Sequence, residues 1–285
     1  MIIDRLYEEV QNKGNVCVGI DTDVNYIPKE FLNNYNHIED AIFEFNKKII
    51  DATQDHAACY KVQIAYYEAY GIKGLIAYKR TLEYIRNSGS IAISDVKRGD
   101  ISKTAEMYAK AHFEGDFETD FITVNPYMGM DSIEPYMPYI KNKEKGIFVL
   151  VKTSNSGAKD FEYVHSKGER KLYEIVGEKV EHLGEEVLGK CGYTSIGGVI
   201  GCTTAEDGAK IREKFSKTFF LIPGFGAQGG GAEEANVYLK NGNGGVVNSS
   251  RGILLAYKKY ENGEKIFDQC ARKEVLKMKK ELRGE

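Results

Sequence analysis

Two charged residues lie close together after a short apolar run in the middle of the chain. They are Asp95 and Lys97, and Asp100 follows three positions later. Side chains two residues apart at the end of a strand point to the same face. Lysine and aspartate are rarely buried unless they are paired. The spacing therefore predicts a salt bridge or a catalytic pair, although such a pair taken alone is more typical of a solvated turn.

Two further charged residues occupy equivalent places after other apolar runs. Asp21 follows the first run, and Lys61 lies at the end of the second. If these runs are neighbouring parallel strands, both side chains point toward the same mouth as Asp95 and Lys97. Four converging charges favour a catalytic array over a turn. Such an array could stabilise a developing charge and supply a proton.

A glycine-rich segment and an arginine indicate a second kind of site. Gly224, Gly226 and residues 229–231 would let the backbone approach a ligand closely, and Gln228 lies among them. Arg251 follows the last apolar run at the expected start of a short helix, where N–H groups favour an anion. A mobile turn is the alternative for the glycines alone. Together the two features predict a phosphate site with a flexible lid.

The elements that must position these residues alternate regularly along the chain. Apolar runs of four to six residues are interleaved with amphipathic patterns at 41–55, 75–87, 104–115 and 169–189. Short, continuously apolar runs are typical of strands buried on both faces. The runs are residues 16–20, 57–62, 90–94, 121–124, 146–151, 198–201, 219–222 and 245–248. This order predicts a (β/α)8 TIM barrel, with a doubly wound open sheet as the alternative.

The whole chain, residues 1–285, is expected to be a single α/β barrel domain, because it contains no low-complexity linker. The active site of such a barrel lies at the carboxyl ends of its strands, where the charged and glycine-rich residues are predicted to be. The connection between the fifth and sixth strands, around 155–195, is long, and its part at 156–166 is expected to be an irregular loop. It is either an insertion or a functional loop. The tail at 272–285 is expected to be a charged helix without an assigned function.

Composition excludes several classes of protein. The net charge of −3 gives no basic field for nucleic acid and no polybasic membrane anchor, and no apolar run is long enough to span a bilayer. The five cysteines form no C-x-x-C pair, which indicates reduced, packed thiols and a cytoplasmic protein. The five histidines are scattered, so we expect no metal site. No G-x-G-x-x-G segment follows the first strand, and a dinucleotide cofactor is not expected.

The motifs at the strand ends resemble one family in particular, the orotidine 5'-phosphate decarboxylases. DVKRGDI at 95–101 resembles that family's D-x-K-x-x-D-I signature in the form of its longer bacterial branch. VGID at 18–21, YKVQ at 60–63, PGFGAQGG at 223–230 and NSSRGI at 248–253 match in the same order. The D-x-K-x-x-D core alone is shared with related sugar-phosphate barrels. The ordered set covers most of the chain.

The resemblance implies a cofactor-free decarboxylation of orotidine 5'-phosphate to uridine 5'-phosphate (UMP) and CO2, the last step of de novo pyrimidine synthesis. It implies a catalytic array and a substrate-binding set, with no metal. The catalytic residues would be Lys61, Asp95, Lys97 and Asp100. The substrate-binding residues would be Asp21, Thr104, Ser154, Pro223, Gly226, Gln228, Ser250 and Arg251. Asp100 and Thr104 would reach across a homodimer interface into the partner's site.

The same resemblance assigns individual tasks within these sets. Asp21 and Lys61 would hold ribose hydroxyls, Ser154 would bond the pyrimidine ring, and Gln228 with Arg251 would hold the phosphate while Gly226 lies in the closing loop. The reaction leaves a carbanion-like centre at C6 with no electron sink, so the site must stabilise that charge electrostatically. Lys97 is then the expected proton donor to C6, with Asp95 beside the departing carboxylate.

Two alternatives remain open from the sequence. A magnesium-dependent 3-keto-gulonate-6-phosphate decarboxylase or hexulose-phosphate synthase would share D-x-K-x-x-D, and such relatives are expected to carry an acidic residue at the end of the second strand. Lys61 stands in that place here and would repel a divalent cation. A non-catalytic phosphate-binding barrel would need Arg251 and the glycines but not the charged array.

Overall fold

Eight short strands close into a parallel barrel in the computed structural model, which describes residues 1–202, 207–226 and 229–285. The strands follow one another in chain order, and β8 pairs with β1. The strands are β1 (Val16–Gly19), β2 (Cys59–Gln63), β3 (Ala92–Arg98), β4 (Phe121–Val124), β5 (Gly146–Lys152), β6 (Ile196–Ile200), β7 (Phe220–Pro223) and β8 (Gly245–Ser249). The predicted (β/α)8 barrel in a single domain is confirmed, and the open sheet is wrong.

Helices connect the strands on the outside of the barrel. They have either 12 to 17 residues or only one to two turns. The helices are α1 (Ile2–Lys13), α2 (Lys29–Leu32), α3 (Ile38–Thr53), α4 (Ala65–Glu68), α5 (Gly71–Asn87), α6 (Ser102–Phe113), α7 (Met137–Asn142), α8 (Leu172–Gly184), α9 (Gly208–Lys214), α10 (Ala232–Asn236), α11 (Arg251–Leu254) and α12 (Phe267–Arg283). Helices were thus correctly expected at α3, α5, α6 and α8, and only their ends differ. The expected tail helix is the second half of α12.

Side chains alternate between two cores along each strand, as the two-residue period of a strand requires. Val16 and Val18 face outward into the shell between barrel and helices, where they join residues such as Phe45 of α3. Cys17 faces inward and belongs to a second cluster with Phe121 of β4. Buried apolar residues of α1 join this inner cluster and close the amino-terminal end of the barrel. A ligand that enters the barrel would therefore do so from its carboxyl end.

Strand β3 is longer than its apolar run and is irregular. The run at 90–94 predicted that Asp95 and Lys97 follow the strand, but β3 continues through both residues to Arg98. The register with β4 shifts between Ser94 and Arg98. The predicted boundary was wrong because the inward positions of a barrel mouth are polar, so apolar character ends before the hydrogen-bonded strand does.

The connection from β5 to β6 occupies residues 153–195. It begins with a short 3-10 turn at Ser156–Asp160, continues through a bridge between His165 and Lys171, and then forms α8. The part predicted as irregular loop therefore contains a 3-10 turn. Glu162 accepts hydrogen bonds from the backbone N–H of Thr153 at 2.9 Å and from its hydroxyl at 2.6 Å. These bonds tie the connection to the end of β5.

The cysteines are free thiols, and Cys17, Cys59, Cys202 and Cys270 are buried. This agrees with the packed thiols expected from the sequence. Within the ranges that the structure describes, none of the helices combines the length and the apolar character that crossing a bilayer requires.

Candidate functional site

A cavity of about 570 Å³ opens at the carboxyl end of the barrel. Its lining joins Asp21, which follows β1, and residues of β2, β3 and β4 with residues in or just after β5, β7 and β8. The sequence-predicted site residues in this lining are Asp21, Lys61, Asp95, Lys97, Ser154, Pro223, Ser250 and Arg251. The fold therefore brings Asp21, Lys61, Asp95 and Lys97 into one cavity with Arg251, the one of the two expected phosphate-binding residues that the structure describes.

Lys61 lies between two carboxylates in the wall of the cavity. Its Nζ is 3.3 Å from Asp21 Oδ1 and 3.1 Å from Asp95 Oδ2. Lys61 is only 4% exposed and Asp95 only 6% exposed. Charged groups buried to this extent are stable only when they are paired and hydrogen-bonded. Lys61 is therefore buried together with the carboxylate of Asp95 that neutralises it, and Asp21 adds a second carboxylate.

The pKa values of Lys61 and Asp95 are both strongly shifted. Burial alone would lower the pKa of Lys61, but the carboxylates of Asp21 and Asp95 outweigh it and raise that pKa. Burial likewise acts to raise the pKa of Asp95, but Lys61 and Lys97 outweigh it and hold that pKa well below its usual range. Opposite charges within a few ångströms favour the charged form of each other. Both groups are thus fully charged at neutral pH.

Both oxygens of Asp95 are fixed by donors in the described structure. Oδ2 accepts hydrogen bonds from Lys61 and from Gln63 Nε2 at 2.9 Å. Oδ1 accepts bonds from Lys97 Nζ at 2.6 Å and from Thr123 Oγ1 at 2.8 Å. An ionised carboxylate offers about four acceptor positions. The carboxylate therefore cannot rotate without breaking several bonds.

The side chain of Lys97 is 46% exposed, whereas that of Lys61 is 5% exposed. The backbone of Lys97 has a φ of 44°, which is unusual for a residue with a side chain. Its ammonium folds back onto Asp95. The arrangement places a cation on an inward-facing position of β3 with one side held by Asp95 and the other toward the cavity.

Two glycines lie against serines that line the cavity. A Cβ on Gly19 of β1 would lie 1.9 Å from Ser250 Oγ, and one on Gly201 would lie 2.7 Å from Ser154 Cβ. Ser250 also accepts a hydrogen bond from Asn248 Nδ2 at 3.3 Å. Glycine at 19 and 201 thus makes room for the two serines. Arg251 is exposed at the start of α11, where a single helical turn offers N–H groups but little macrodipole.

The described part of the glycine-rich segment begins in the cavity lining, with Gly224 and Phe225. Gly224 and Gly226 have φ values of 108° and 72°, which glycine adopts without strain. The N–H of Gly226 donates to the carbonyl of Gly230 at 2.8 Å. Gly226 itself is exposed and is outside the lining, and Gln228 lies outside the described residues.

Asp100 and Thr104 are not part of the cavity in the single chain. Asp100 Oδ1 accepts a hydrogen bond from the N–H of Ile101, and Thr104 is exposed on the first turn of α6. Ile101, Met107 and Met128 are also exposed. Asp100 and Thr104 thus lie apart from the eight predicted site residues that line the cavity.

Several lining residues were missed from the sequence. Gln63 and Thr123 are bonded to Asp95, and Tyr66, Asn155, Phe225 and Asn248 also line the cavity. Gln63 is two residues after Lys61, so the two-residue period could have identified it. In the described part of the chain, no three His, Cys, Asp or Glu side chains are grouped so that they could hold a metal ion.

Comparison with known proteins identifies the family. A sequence profile described as the orotidine 5'-phosphate decarboxylase / HUMPS family matches residues 14–266. A Clostridium novyi protein named orotidine 5'-phosphate decarboxylase is 80% identical over 282 residues, covering 99% of this chain and 98% of the relative. A Clostridium acetobutylicum protein of the same name is 65% identical over 283 residues, covering 99% of each. The solved structure of Leishmania donovani OMP decarboxylase is similar with a TM-score of 0.78 and 30% identity, covering 99% of this chain and 97% of that one. The chain belongs to the orotidine 5'-phosphate decarboxylase / HUMPS family.

Proposed function

We propose that this decarboxylase converts orotidine 5'-phosphate to UMP and CO2 without a cofactor, as the last step of de novo pyrimidine synthesis. The observation that carries the proposal is the Lys61–Asp95–Lys97 row, which shares one cavity with Arg251 and Ser250. A substrate with an anionic phosphate at one end and a reacting carboxylate at the other fits such a cavity. The names of the similar clostridial proteins support the same reaction.

Lys97 is the proposed proton donor. Loss of CO2 leaves the bonding electron pair on C6, and the nearby ammonium stabilises that charge and then transfers a proton to it. Asp95 holds the ammonium at 2.6 Å through one oxygen and lies beside the place of the departing carboxylate. Lys61 balances the charge of Asp95, and Asp21 with Lys61 also binds ribose hydroxyls.

The remaining contacts position the substrate. In the proposed complex Arg251, Ser250 and Gln228 bind the phosphate, and Pro223 and Gly226 belong to the loop that closes over it. Ser154 bonds the pyrimidine ring. The energy of the remote phosphate contact would be used to close the loop, exclude water and align C6 with Lys97.

We also propose that the active form is a homodimer. Asp100 and Thr104 lie outside the cavity of their own chain, in a segment that also exposes the apolar side chains of Ile101 and Met107. Exposed apolar groups around polar residues are typical of an interface between subunits. In the dimer, Asp100 and Thr104 would enter the partner's cavity, with Asp100 completing the array and Thr104 near the ribose.

The related magnesium-dependent sugar-phosphate enzymes are the alternative to test. The ammonium of Lys61 lies at the end of β2 between Asp21 and Asp95, where it opposes binding of a divalent cation to those carboxylates. This charge arrangement favours the cofactor-free reaction.

A spectrophotometric assay of orotidine 5'-phosphate consumption in the presence of excess EDTA tests the proposed function. We expect turnover that EDTA does not reduce. Loss of activity with EDTA and recovery with magnesium would instead support the related enzymes. A protein that binds UMP but never consumes orotidine 5'-phosphate would be a binding protein, and the proposal would be wrong.

A further inference from the structure

Strand β3 contains more residues than its partner β4 in the segment that carries Asp95 and Lys97. Ser94 pairs with Ile122 and Arg98 with Val124, so residues 95–97 of β3 are opposite Thr123 alone. A bulge of this kind leaves N–H groups of the longer strand without their usual strand partners. Buried N–H groups require another acceptor.

The hydroxyl of Thr123 supplies that acceptor. It accepts hydrogen bonds from the N–H of Val96 at 3.0 Å and from the N–H of Lys97 at 2.9 Å. It also donates to Asp95 Oδ1 at 2.8 Å. A hydroxyl has one donor and two acceptor positions, so all of its capacity is used. Thr123 is 1% exposed, and water does not compete for these bonds.

The bond to Lys97 acts on an unusual backbone conformation. A φ of 44° is unfavourable for lysine and persists only when the surrounding structure holds it. The Thr123 hydroxyl binds the N–H of that same residue. It also binds the carboxylate oxygen that receives the Lys97 ammonium. One atom thus fixes the backbone from which Lys97 extends and the group on which its side chain rests.

We propose that Thr123 is a positioning residue for decarboxylation, whose hydroxyl holds the Lys97 backbone and the Asp95 carboxylate in the geometry that aims the ammonium at the reacting carbon. This inference rests on the proposed function. Thr123 transfers no proton and forms no bond to the substrate in this role. Its effect is on the alignment of the proton donor, and misplacement of such a group by about 1 Å can reduce a rate by about 100-fold.

Replacement of Thr123 by valine tests the proposal, because valine keeps the branched shape and removes the hydroxyl. Thr123→Ser keeps the hydroxyl and is the conservative variant. Thr119→Val is the matched control, because Thr119 is also fully buried and donates a hydrogen bond to the carbonyl of Ala92, close to the amino-terminal end of β4. For each variant, kcat, KM for orotidine 5'-phosphate and the melting temperature are measured.

We expect T123V to lower kcat by about 100-fold with a change in KM of less than about threefold, because the phosphate and ribose contacts are retained. T123S should stay within about fivefold of the wild type. T119V should lose thermal stability but keep its kcat. If T123V does not fold, T123A is compared with T119A in the same way.

Two results would overturn the inference. One is a T123V kcat within threefold of that of T119V, and the other is T123S impaired as much as T123V. A crystal structure of T123V separates this inference from the proposed function, because it is informative even if the wild type does not consume orotidine 5'-phosphate. Lys97 with an unchanged φ and its ammonium still on Asp95 would contradict positioning by Thr123, whereas a relaxed φ and a displaced ammonium would support it.

Discussion

At the residue scale, the four hydrogen bonds around Asp95 limit what this carboxylate can do. Lys61 and Gln63 bind one oxygen, and Lys97 and Thr123 bind the other. An acceptor that is already saturated has no free position for a substrate proton. Its lowered pKa also makes it a poor base. These bonds suit Asp95 to the role of a fixed negative charge, and in the proposed mechanism Lys97 transfers the proton.

Replacement of Lys97 by alanine should reduce kcat by at least about 10³-fold, because it removes the proton donor and the cation that stabilises the developing charge. UMP should still bind within about tenfold of the wild type, since the phosphate contacts remain. Turnover and calorimetric titration with UMP measure the two effects. Lys277→Ala, at an exposed position of α12 paired with Glu281, is the control. A K97A enzyme with more than one tenth of the wild-type kcat would refute this role.

The two-residue period of side-chain direction in a strand explains why part of the charged site could be predicted from the sequence. Asp95, Lys97 and Lys61 were placed in the barrel mouth because each is inward on a strand whose preceding inward residues are apolar. Thr123 escaped notice because threonine is common in strands and carries no charge. Its importance depends on the β3 bulge, and a bulge is defined by pairing with a strand far away in the sequence.

At the element scale, the strand order followed from alternation of apolar runs and amphipathic patterns, but strand ends did not. The strands β3 and β5 continue past their apolar runs, whereas β6 begins at Ile196, before the expected run. An apolar run indicates where side chains are buried. A strand ends where its backbone hydrogen bonds to the neighbouring strands end. The two boundaries differ most at the mouth of the barrel, where inward side chains are polar.

The segment after β7 and the start of α11 are proposed to act together on the phosphate. Arg251→Ala should lower kcat/KM for orotidine 5'-phosphate by about 10³-fold, because it removes the cation that binds the phosphate and drives loop closure. With the wild type, phosphite dianion should increase turnover of a substrate that lacks the phosphate. Arg283→Ala on α12 is the control for loss of a surface arginine. Absence of any phosphite effect would show that phosphate binding does not drive closure.

Helix α6 is attached to β3 by a histidine that the structure keeps neutral. His112 is buried, and its Nε2 accepts a hydrogen bond from Arg98 Nε at 3.3 Å. Burial, with the nearby Arg98 cation, lowers the pKa of His112 to about 4. In the unfolded chain the imidazole of His112 is protonated below about pH 6.5, whereas in the folded chain it stays neutral down to about pH 4. The free energy of unfolding therefore has its full value above pH 6.5 and decreases as the pH is lowered toward 4.

Urea unfolding at pH 7.5 and pH 5.0 measures this effect. From pH 7.5 to pH 5.0, the free energy of unfolding should fall by roughly 2 kcal/mol more in the wild type than in His112→Gln. The reason is that about 1.5 pH units separate pH 5.0 from the pKa of histidine in the unfolded chain, and each unit is worth about 1.36 kcal/mol. His182→Gln, at an exposed position, should follow the wild type. Equal losses in the wild type and H112Q would show that the proton uptake of His112 is not linked to folding.

At the scale of the whole molecule, the cavity of one chain contains three of the four proposed array residues. Lys61, Asp95 and Lys97 line this cavity, whereas Asp100 and Thr104 lie outside it, close in sequence to the exposed side chains of Ile101 and Met107. The aspartates of one sequence motif, Asp95 and Asp100, would then serve two different substrates in a dimer. The motif could suggest this only by resemblance, because nothing in its spacing indicates which subunit a side chain enters.

Mixing two inactive variants tests this sharing of sites. A heterodimer of Lys97→Ala and Asp100→Ala chains contains one site in which both changes meet and one in which neither is present, because Lys97 acts in its own chain and Asp100 in the partner. Random exchange in an equal mixture makes half of the dimers mixed, so about one quarter of the wild-type activity should return.

The matched control mixes Lys97→Ala with Lys61→Ala chains. Both residues belong to the same cavity of one chain, and that mixture should stay inactive. If differently tagged subunits confirm that mixed dimers have formed and no activity returns to the first mixture, Asp100 does not enter the partner's site.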